Sequence, residues 1–276
     1  MNTIFNSNIS SCALSFEREG YCVVEVGVQC ANALEQLYHE LYSHKPSEFY
    51  SNHRHEVAAF NHTINKRISE IVVPVAKKIG LNFQPVLGSF AIKPAHYSEE
   101  FKLHQDWSIV DEKKYVSAQL WIPLIDVNAS NGGLFILPQS DRFFNNLRSA
   151  TYPIAQIPRN GILKYLAPVI PLKKGQAILF KHATFHGSVS NLTDQERPAV
   201  IFSIMSTDAK MIYYQKRDDQ TADAYGIDPG FYLHHVPQVE KGNIPAGYTP
   251  IDTKPFTYFQ ITTMDLIKRS LINLFC

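Results

Sequence analysis

Hydrophobic positions change their period along this chain. Between residues 29 and 79 they recur at helical spacing. Leu34, Leu37, Tyr38 and Leu41 share one face of segment 29–43, and Ile64, Ile68, Ile71, Val72 and Val75 share one face of segment 64–79. Two amphipathic helices are expected there, with Pro74 placed to kink or break the second. A strand over 21–26, after a short helix, precedes them. From Val86 onward the apolar runs shorten: 86–93, 116–127, 133–137, 169–172, 176–180 and 199–206 read as strands bounded by Gly, Pro, Asn or Asp, with Asn131-Gly132 as a turn. Residues 141–165 read as a long irregular insertion holding a short helix. Residues 207–250 are polar and rich in Pro and Gly, with aromatics (Tyr213, Tyr214, Tyr225, Phe231, Tyr232) expected to pack rather than to cage a ligand. A last helix is expected over 263–275, capped by Thr262 or Thr263, with Met264, Ile267, Leu271 and Leu274 inward. Many short strands with turn signals between them predict a mainly β architecture with flanking helices: a sandwich, jelly roll or barrel.

Composition narrows the function classes. At 276 residues with 45% hydrophobic and 18% charged residues, the chain suits one globular domain with a sizeable core. Lys plus Arg (26) nearly balances Asp plus Glu (25), which argues against nucleic acid or an anionic membrane as partner. The four cysteines (Cys12, Cys22, Cys30, Cys276) show no C-x-x-C spacing. Reduced thiols in a cytoplasmic protein are the expectation, without a zinc site or disulfide framework. No signal-peptide pattern and no apolar run of membrane-spanning length stands out.

The chemistry concentrates at His104-Gln105-Asp106, within Phe101-Lys-Leu-His-Gln-Asp-Trp107. Residues two apart on an extended chain point to the same side, so His104 and Asp106 can address one metal ion. Two ligands hold a metal poorly, and the best third is His186, in Phe180-Lys-His-Ala-Thr-Phe-His-Gly-Ser188. Two histidines and a carboxylate are the facial triad of non-haem Fe(II) oxygenases, with coordination positions left open for substrates. Ser188 should face the same side as His186. Arg197, held extended by Pro198, should return beside Ser188 once a hairpin closes over the turn-forming 191–196. A guanidinium with a nearby hydroxyl implies a carboxylate-bearing cosubstrate whose other end reaches the metal. His182, four before His186, reads as a solvent-facing or supporting residue. His53, His55 and His62 read as an exposed loop.

His-Gln-Asp, Trp121, Asn-Gly-Gly-Leu-Phe-Ile-Leu-Pro (131–138) and His-Gly-Ser followed by Arg197 together resemble the phytanoyl-CoA dioxygenase (PhyH) family. The resemblance covers roughly 85–206. It implies a double-stranded β-helix (jelly-roll, cupin-like) core at about 85–206, N-terminal helices at 29–79 and a divergent segment 207–276, all in a single domain 1–276. It implies His104, Asp106 and His186 as ligands of Fe(2+), with 2-oxoglutarate and O2 as cosubstrates. Arg197 would pair with the far carboxylate of 2-oxoglutarate, helped by Ser188, with Phe101, Lys93 and Trp121 in the same pocket. Gln105 and Trp107, flanking the metal motif, are candidates for substrate contact. The implied reaction hydroxylates an aliphatic C–H of a small molecule (an amino acid, a carrier-bound or a secondary-metabolite intermediate), with succinate and CO2 as co-products. A carrier protein is an admissible partner. Asp106 occupies the seat that halogenating relatives leave to a small residue, which disfavours halogenation.

Alternatives remain open at this point. The same chemistry would serve a fatty acyl thioester, although no dense Lys/Arg patch suggests a CoA clamp, and it would serve desaturation or cyclisation. The reading from another class is a non-catalytic β-barrel that binds a small carboxylate. Intact His104, Asp106, His186 and Arg197 weigh against it.

Overall fold

The computed structural model describes residues 4–6, 11–42, 46–52, 57–144, 146–152, 154–256, 258 and 260–274. Helix α1 (Ser11–Glu19) leads into strand β1 (Tyr21–Glu25), followed by α2 (Val28–Leu41), β2 (Tyr50–Ser51), α3 (Ala58–Lys78) and β3 (Gln84–Lys93). Then come β4 (Phe101–His104), β5 (Ser117–Pro123), β6 (Leu134–Ile136), α4 (Leu163–Leu166), β7 (Gln176–Lys181), β8 (His186–Ser188) and β9 (Arg197–Met205). The chain ends with β10 (Ile212–Lys216), β11 (Thr221–Gly226), α5 (Phe231–His234), α6 (Val236–Glu240), β12 (Pro250–Pro255) and α7 (Thr263–Leu274).

Three sheets result. The large one has the order β1-β7-β5-β9-β3-β2 and a smaller one the order β4-β8-β6, while β10-β11-β12 form a third. The large sheet is buried on both faces, which is why β5 is apolar almost throughout rather than alternating. On one face Leu120 and Ile122 join Leu34, Ile64, Ile68 and Val72 of α2 and α3. On the other, Trp121, Ile178, Phe180 and Ala199 meet Leu134 and Ile136 of the small sheet. Helix α3 supplies its buried stripe through Asn61, Ile64, Ile68, Val72 and Ala76, and it runs on past Pro74. A proline removes one donor, and helix contacts to the sheet outweigh that loss here.

Several expectations are corrected. Residues 169–172 form no strand: Val169 bridges Phe135 and Leu172 bridges Val127, each singly. Pro168 and Pro171 lack the donors a continuous ladder needs. Segment 207–250 is more ordered than its composition suggests, because Tyr213, Tyr225, Phe231 and Val239 build a separate apolar cluster with Met205 and Ile109. In α7 Leu266 is buried and Ile267 packs on the same apolar cluster, the latter as expected, whereas Met264 is 56% exposed. The Leu274 side chain lies outside the described residues. Thr262 does cap this helix, its hydroxyl accepting from Asp265 N at 3.3 Å. Cys12 and Cys22 are not reduced but form a disulfide. Gly20, with φ of +81°, folds β1 back against α1 and brings the two Cα atoms to 5.4 Å. His62 sits exposed on α3 rather than in a loop, and His53 and His55 lie outside the described residues. Among the described residues no helix is long and apolar enough to cross a membrane.

The small sheet depends on one glycine. Gly187 lets β8 lie against β4, since a Cβ there would press into the Phe101 carbonyl oxygen and approach the Phe135 ring at 2.6 Å. Gly187→Ala should therefore destabilise the fold by about 1–3 kcal/mol, the cost of overpacking. Urea unfolding of the variant against wild type measures it.

Candidate active site

Strand β4 pairs antiparallel with β8, placing Phe101 opposite Ser188 and His104 opposite His186. Past His104 the ladder ends, and the Asp106 N–H donates to the His182 carbonyl at 2.9 Å. This turn brings one ligand atom from each of His104, Asp106 and His186 within 4.8 Å of one another. His186 Nε2 lies 3.8 Å from Asp106 Oδ1. Both imidazoles are oriented from behind. His104 Nδ1 is 2.8 Å from the Lys102 carbonyl and His186 Nδ1 is 3.0 Å from the Thr184 carbonyl. A carbonyl only accepts, so each Nδ1 carries the proton and each Nε2 lone pair is left for the cluster. Asp106 Oδ2 is buried without a hydrogen-bond partner. Burial opposes ionisation of Asp106, yet His186, His182, His104 and Arg148 together hold its carboxyl below the usual range. Two imidazoles with Nε2 turned to the cluster, a carboxylate held below its usual range and an unsatisfied oxygen are a donor set that fits a divalent metal with open positions.

Arg148 holds the turn in place. Its Nε donates to the Asp106 carbonyl at 2.7 Å, Nη1 to the Asn146 carbonyl at 2.9 Å and Nη2 to Glu112 Oε1 at 2.6 Å. His182 is buried rather than solvent-facing, with Nδ1 3.0 Å from Ser117 Oγ. Burial pushes its pKa down, against the pull of Asp106 and Glu112.

Two cavities meet at the cluster. One, of about 200 Å³, lies between the large and small sheets and is lined by Phe49, Phe101, Trp121, Ser188, Arg197 and the three cluster residues, among others. Arg197 is 2% exposed. Its one described hydrogen bond runs from Nη1 to the Ala91 carbonyl at 3.2 Å, and Nε has no partner. Burial lowers its pKa to about 10, which still leaves it charged at neutral pH. Its guanidinium lies over the Trp121 ring at 5.3 Å. The hairpin expected between Ser188 and Arg197 does not form: β8 belongs to the small sheet and β9 to the large one, so residues 189–196 cross between sheets. Arg197 instead pairs in register with Lys93. Lys93 does not line the cavity. Its Nζ donates to Ser188 Oγ at 2.9 Å and to the Val189 carbonyl at 2.7 Å, tying β3 to β8. Burial, and then the neighbouring Arg197 charge, bring the Lys93 pKa down to about 7. Gly132, with φ of +82°, closes over both cations, where a Cβ would meet Arg197 Nε at 3.1 Å and Lys93 Cδ at 3.2 Å.

The other cavity, of about 270 Å³, shares Phe101, His104, Asp106, Gln119 and Ile201 with the first. Trp107, His182, Ser203, Tyr232 and Val236 are among its further walls. Gln105 lines it too, with Nε2 donating to the Ala183 carbonyl at 2.6 Å. Sequence reasoning passed over Arg148, Gln119 and Ser203, and set Tyr232 aside as packing. The polarity of Gln119 inside an otherwise apolar strand was the one readable signal.

Replacing Arg148 by Met should cost on the order of 3 kcal/mol, because it leaves Glu112 and two carbonyls without their donor in a largely buried site. Chemical unfolding measures the loss, and Arg148→Lys should recover little of it, since one ammonium cannot replace the forked contacts.

A model of the family described as phytanoyl-CoA dioxygenase (PhyH) matches residues 44–199. A curated relative, "phytanoyl-CoA dioxygenase domain-containing protein 1" of Bos taurus, is 30% identical over 146 residues, covering 50% of each chain. The chain thus spans about half the length of the curated relative it matches. Among solved structures, EvdO2 from Micromonospora carbonacea var. aurantiaca complexed with 2-oxoglutarate superimposes with a TM-score of 0.52 at 18% identity, covering 75% of this chain and 94% of that one. EctD from S. alaskensis with 2-oxoglutarate and 5-hydroxyectoine gives 0.50 at 16% identity, covering 76% and 83%. These likenesses are of fold. With the family match spanning more than half of its length, the chain belongs to the phytanoyl-CoA dioxygenase (PhyH) family, whose members depend on iron(II) and 2-oxoglutarate.

Proposed function

We propose that the protein is an iron(II)- and 2-oxoglutarate-dependent oxygenase that hydroxylates an aliphatic C–H of a small molecule, built as one domain on a double-stranded β-helix. The observation that carries this reading is that one cavity joins the His104, Asp106 and His186 cluster to a buried, under-bonded guanidinium. A buried cation with a single hydrogen bond is costly unless an anion completes it. Family membership and two solved neighbours that hold 2-oxoglutarate support a 2-oxo diacid as that anion.

Iron(II) with 2-oxoglutarate and O2 supplies the oxidation, giving succinate, CO2 and an alcohol. The chain supplies position and dryness. His104, Asp106 and His186 would hold the ion from one side and leave its other side open. Arg197 would take the far carboxylate, with the Trp121 ring as a wall beneath it. Phe49 and Phe101, packed edge to face at 4.5 Å, screen this cavity from water. Exclusion of water strengthens each of these electrostatic contacts. Ser188 assists indirectly, by anchoring Lys93. The second cavity would place the target carbon beside His104 and Asp106, with Trp107 and Gln105 on its wall. The substrate within this class, free or carried on a thioester, is the part that rests on the reading alone.

The oxygenase should bind one Fe(II) per chain and release succinate from 2-oxoglutarate, and removing iron with a chelator should stop both. Asp106→Ala should lower 2-oxoglutarate consumption by at least about 10²-fold, the scale on which a lost ligand acts. No succinate release by the iron-loaded protein, with 2-oxoglutarate binding unchanged in this variant, would favour the non-catalytic carboxylate binder. Arg197→Met should weaken 2-oxoglutarate by about 10²-fold, from loss of a charge-assisted, two-pronged contact worth roughly 2–3 kcal/mol. Calorimetry on the metal-loaded protein reads this directly.

A further inference from the structure

Gln119 stands apart in the large sheet. It lies on the central strand β5, is 8% exposed, and borders both cavities together with His104 and Asp106. Its cross-strand partner on β9 is Ser203, whose hydroxyl donates to Gln119 Oε1 at 3.2 Å. That bond fixes the amide: the oxygen is taken, and the Nε2 protons are the ones presented to the cavities. Among the described residues Gln119 makes no other side-chain hydrogen bond. The Nε2 donor on this largely apolar strand is thus left for a ligand in the cavities to take.

Its level along the strand says which ligand. Gln119 faces Phe180 in register across β5 and β7, and the Phe180 ring packs on His186 with centroids 4.4 Å apart. The Gln119 amide is therefore level with the histidine cluster. Trp121, two residues along the same face of β5, lies under the Arg197 guanidinium at 5.3 Å. Two residues of strand span about 6.7 Å. A five-carbon diacid, with four C–C bonds of about 1.5 Å, spans roughly 5–6 Å between its carboxyl carbons. The strand levels of Gln119 and Trp121 thus stand about one diacid length apart on the same sheet face, with the guanidinium over the Trp121 ring.

We propose that Gln119 is a cosubstrate-binding residue whose amide N–H donates to the carboxylate of the 2-oxo acid at the end nearer the His104, Asp106 and His186 cluster, with Ser203 as its positioning residue. This rests on the oxygenase reading above and adds the second anchor that Arg197 alone does not provide. With both ends held, the acid is fixed in direction as well as place.

The test is calorimetric binding to the full-length, Mn(II)-loaded protein, with no turnover involved. Two acids are compared: 2-oxoglutarate, and 2-oxopentanoate, which lacks the far carboxylate. Gln119→Leu removes the donor. Gln119→Glu keeps the Ser203 bond and the shape but sets a like charge against the ligand, and the Mn(II) stoichiometry checks that each variant is folded. Both variants should weaken both acids by about tenfold or more, whereas Arg197→Met should weaken 2-oxoglutarate and leave 2-oxopentanoate nearly unchanged. A loss under threefold in both Gln119 variants, or a loss confined to 2-oxoglutarate, would overturn the assignment. Wild-type protein that takes up Mn(II) but neither acid would bring down the oxygenase reading itself, and this inference with it.

Discussion

The pairing of β4 with β8 is the contact on which the site depends. It is short, and it joins two segments 82 positions apart in the chain at the two histidines themselves, His104 opposite His186. Nothing local enforces it. Closure works because Gly187 offers no side chain toward the β4 backbone, and because Lys93 reaches across from β3 to hold Ser188 and Val189. Asp106 then follows from the abrupt end of the ladder after His104, with its amide caught by the His182 carbonyl and its carbonyl by Arg148. Three ligand atoms converge because four separate backbone contacts set their directions, rather than because the side chains attract one another.

The same cavity concentrates positive charge in a place that does not repay it. Arg197 and Lys93 are both buried and adjacent across β3 and β9; burial lowers the pKa of each, and the Arg197 charge lowers that of Lys93 further. Lys93 is compensated by oxygen acceptors. Arg197 is not, with one hydrogen bond and an orphaned Nε. At the far end Asp106 keeps an orphaned oxygen. The folded chain therefore carries two unsatisfied groups of opposite sign at opposite ends of one cavity, and a cation with a chelating diacid would satisfy both together. Stability given up at such a place is returned on binding as affinity.

How legible this was depends on how local each feature is. The two N-terminal helices and strands β1, β3, β5, β6, β7 and β9 were readable from their apolar positions, and His104 with Asp106 because two residues on an extended chain need no tertiary context. His186 could be nominated from composition around it. Arg197 was nominated for the wrong reason: a hairpin was expected, but the chain changes sheets, and proximity comes through Lys93. Arg148 was invisible, since its contacts with Asp106 and Glu112 span 42 and 36 positions and leave no periodic trace. The Cys12–Cys22 disulfide was missed because its geometry is set by the Gly20 turn and not by a spacing motif. In segment 207–250 the aromatics pack as expected, but its strands and helices were not readable, because residues buried against each other and against Met205 do not give the pattern of a simple amphipathic element.

That last segment matters for what the proposed oxygenase would recognise. The family match ends at residue 199, and it contains the histidine–aspartate cluster, Gln119, Trp121, Ser188 and Arg197. Every wall of the 200 Å³ cavity but one, Ile201, falls within it. The 270 Å³ cavity is different. It takes Ile201, Ser203, Tyr232, Val236 and Glu240 from beyond the match, three of them from α5 and α6. Those helices are held by the third sheet and by Asn61 of α3, whose amide donates to the Leu233 carbonyl at 3.2 Å. A chain built this way can keep the proposed metal and diacid site constant while its second cavity is reshaped by substitutions on a separately packed wall. Differences in substrate between this protein and its relatives would then be written in 201–240, where the family pattern no longer constrains the sequence.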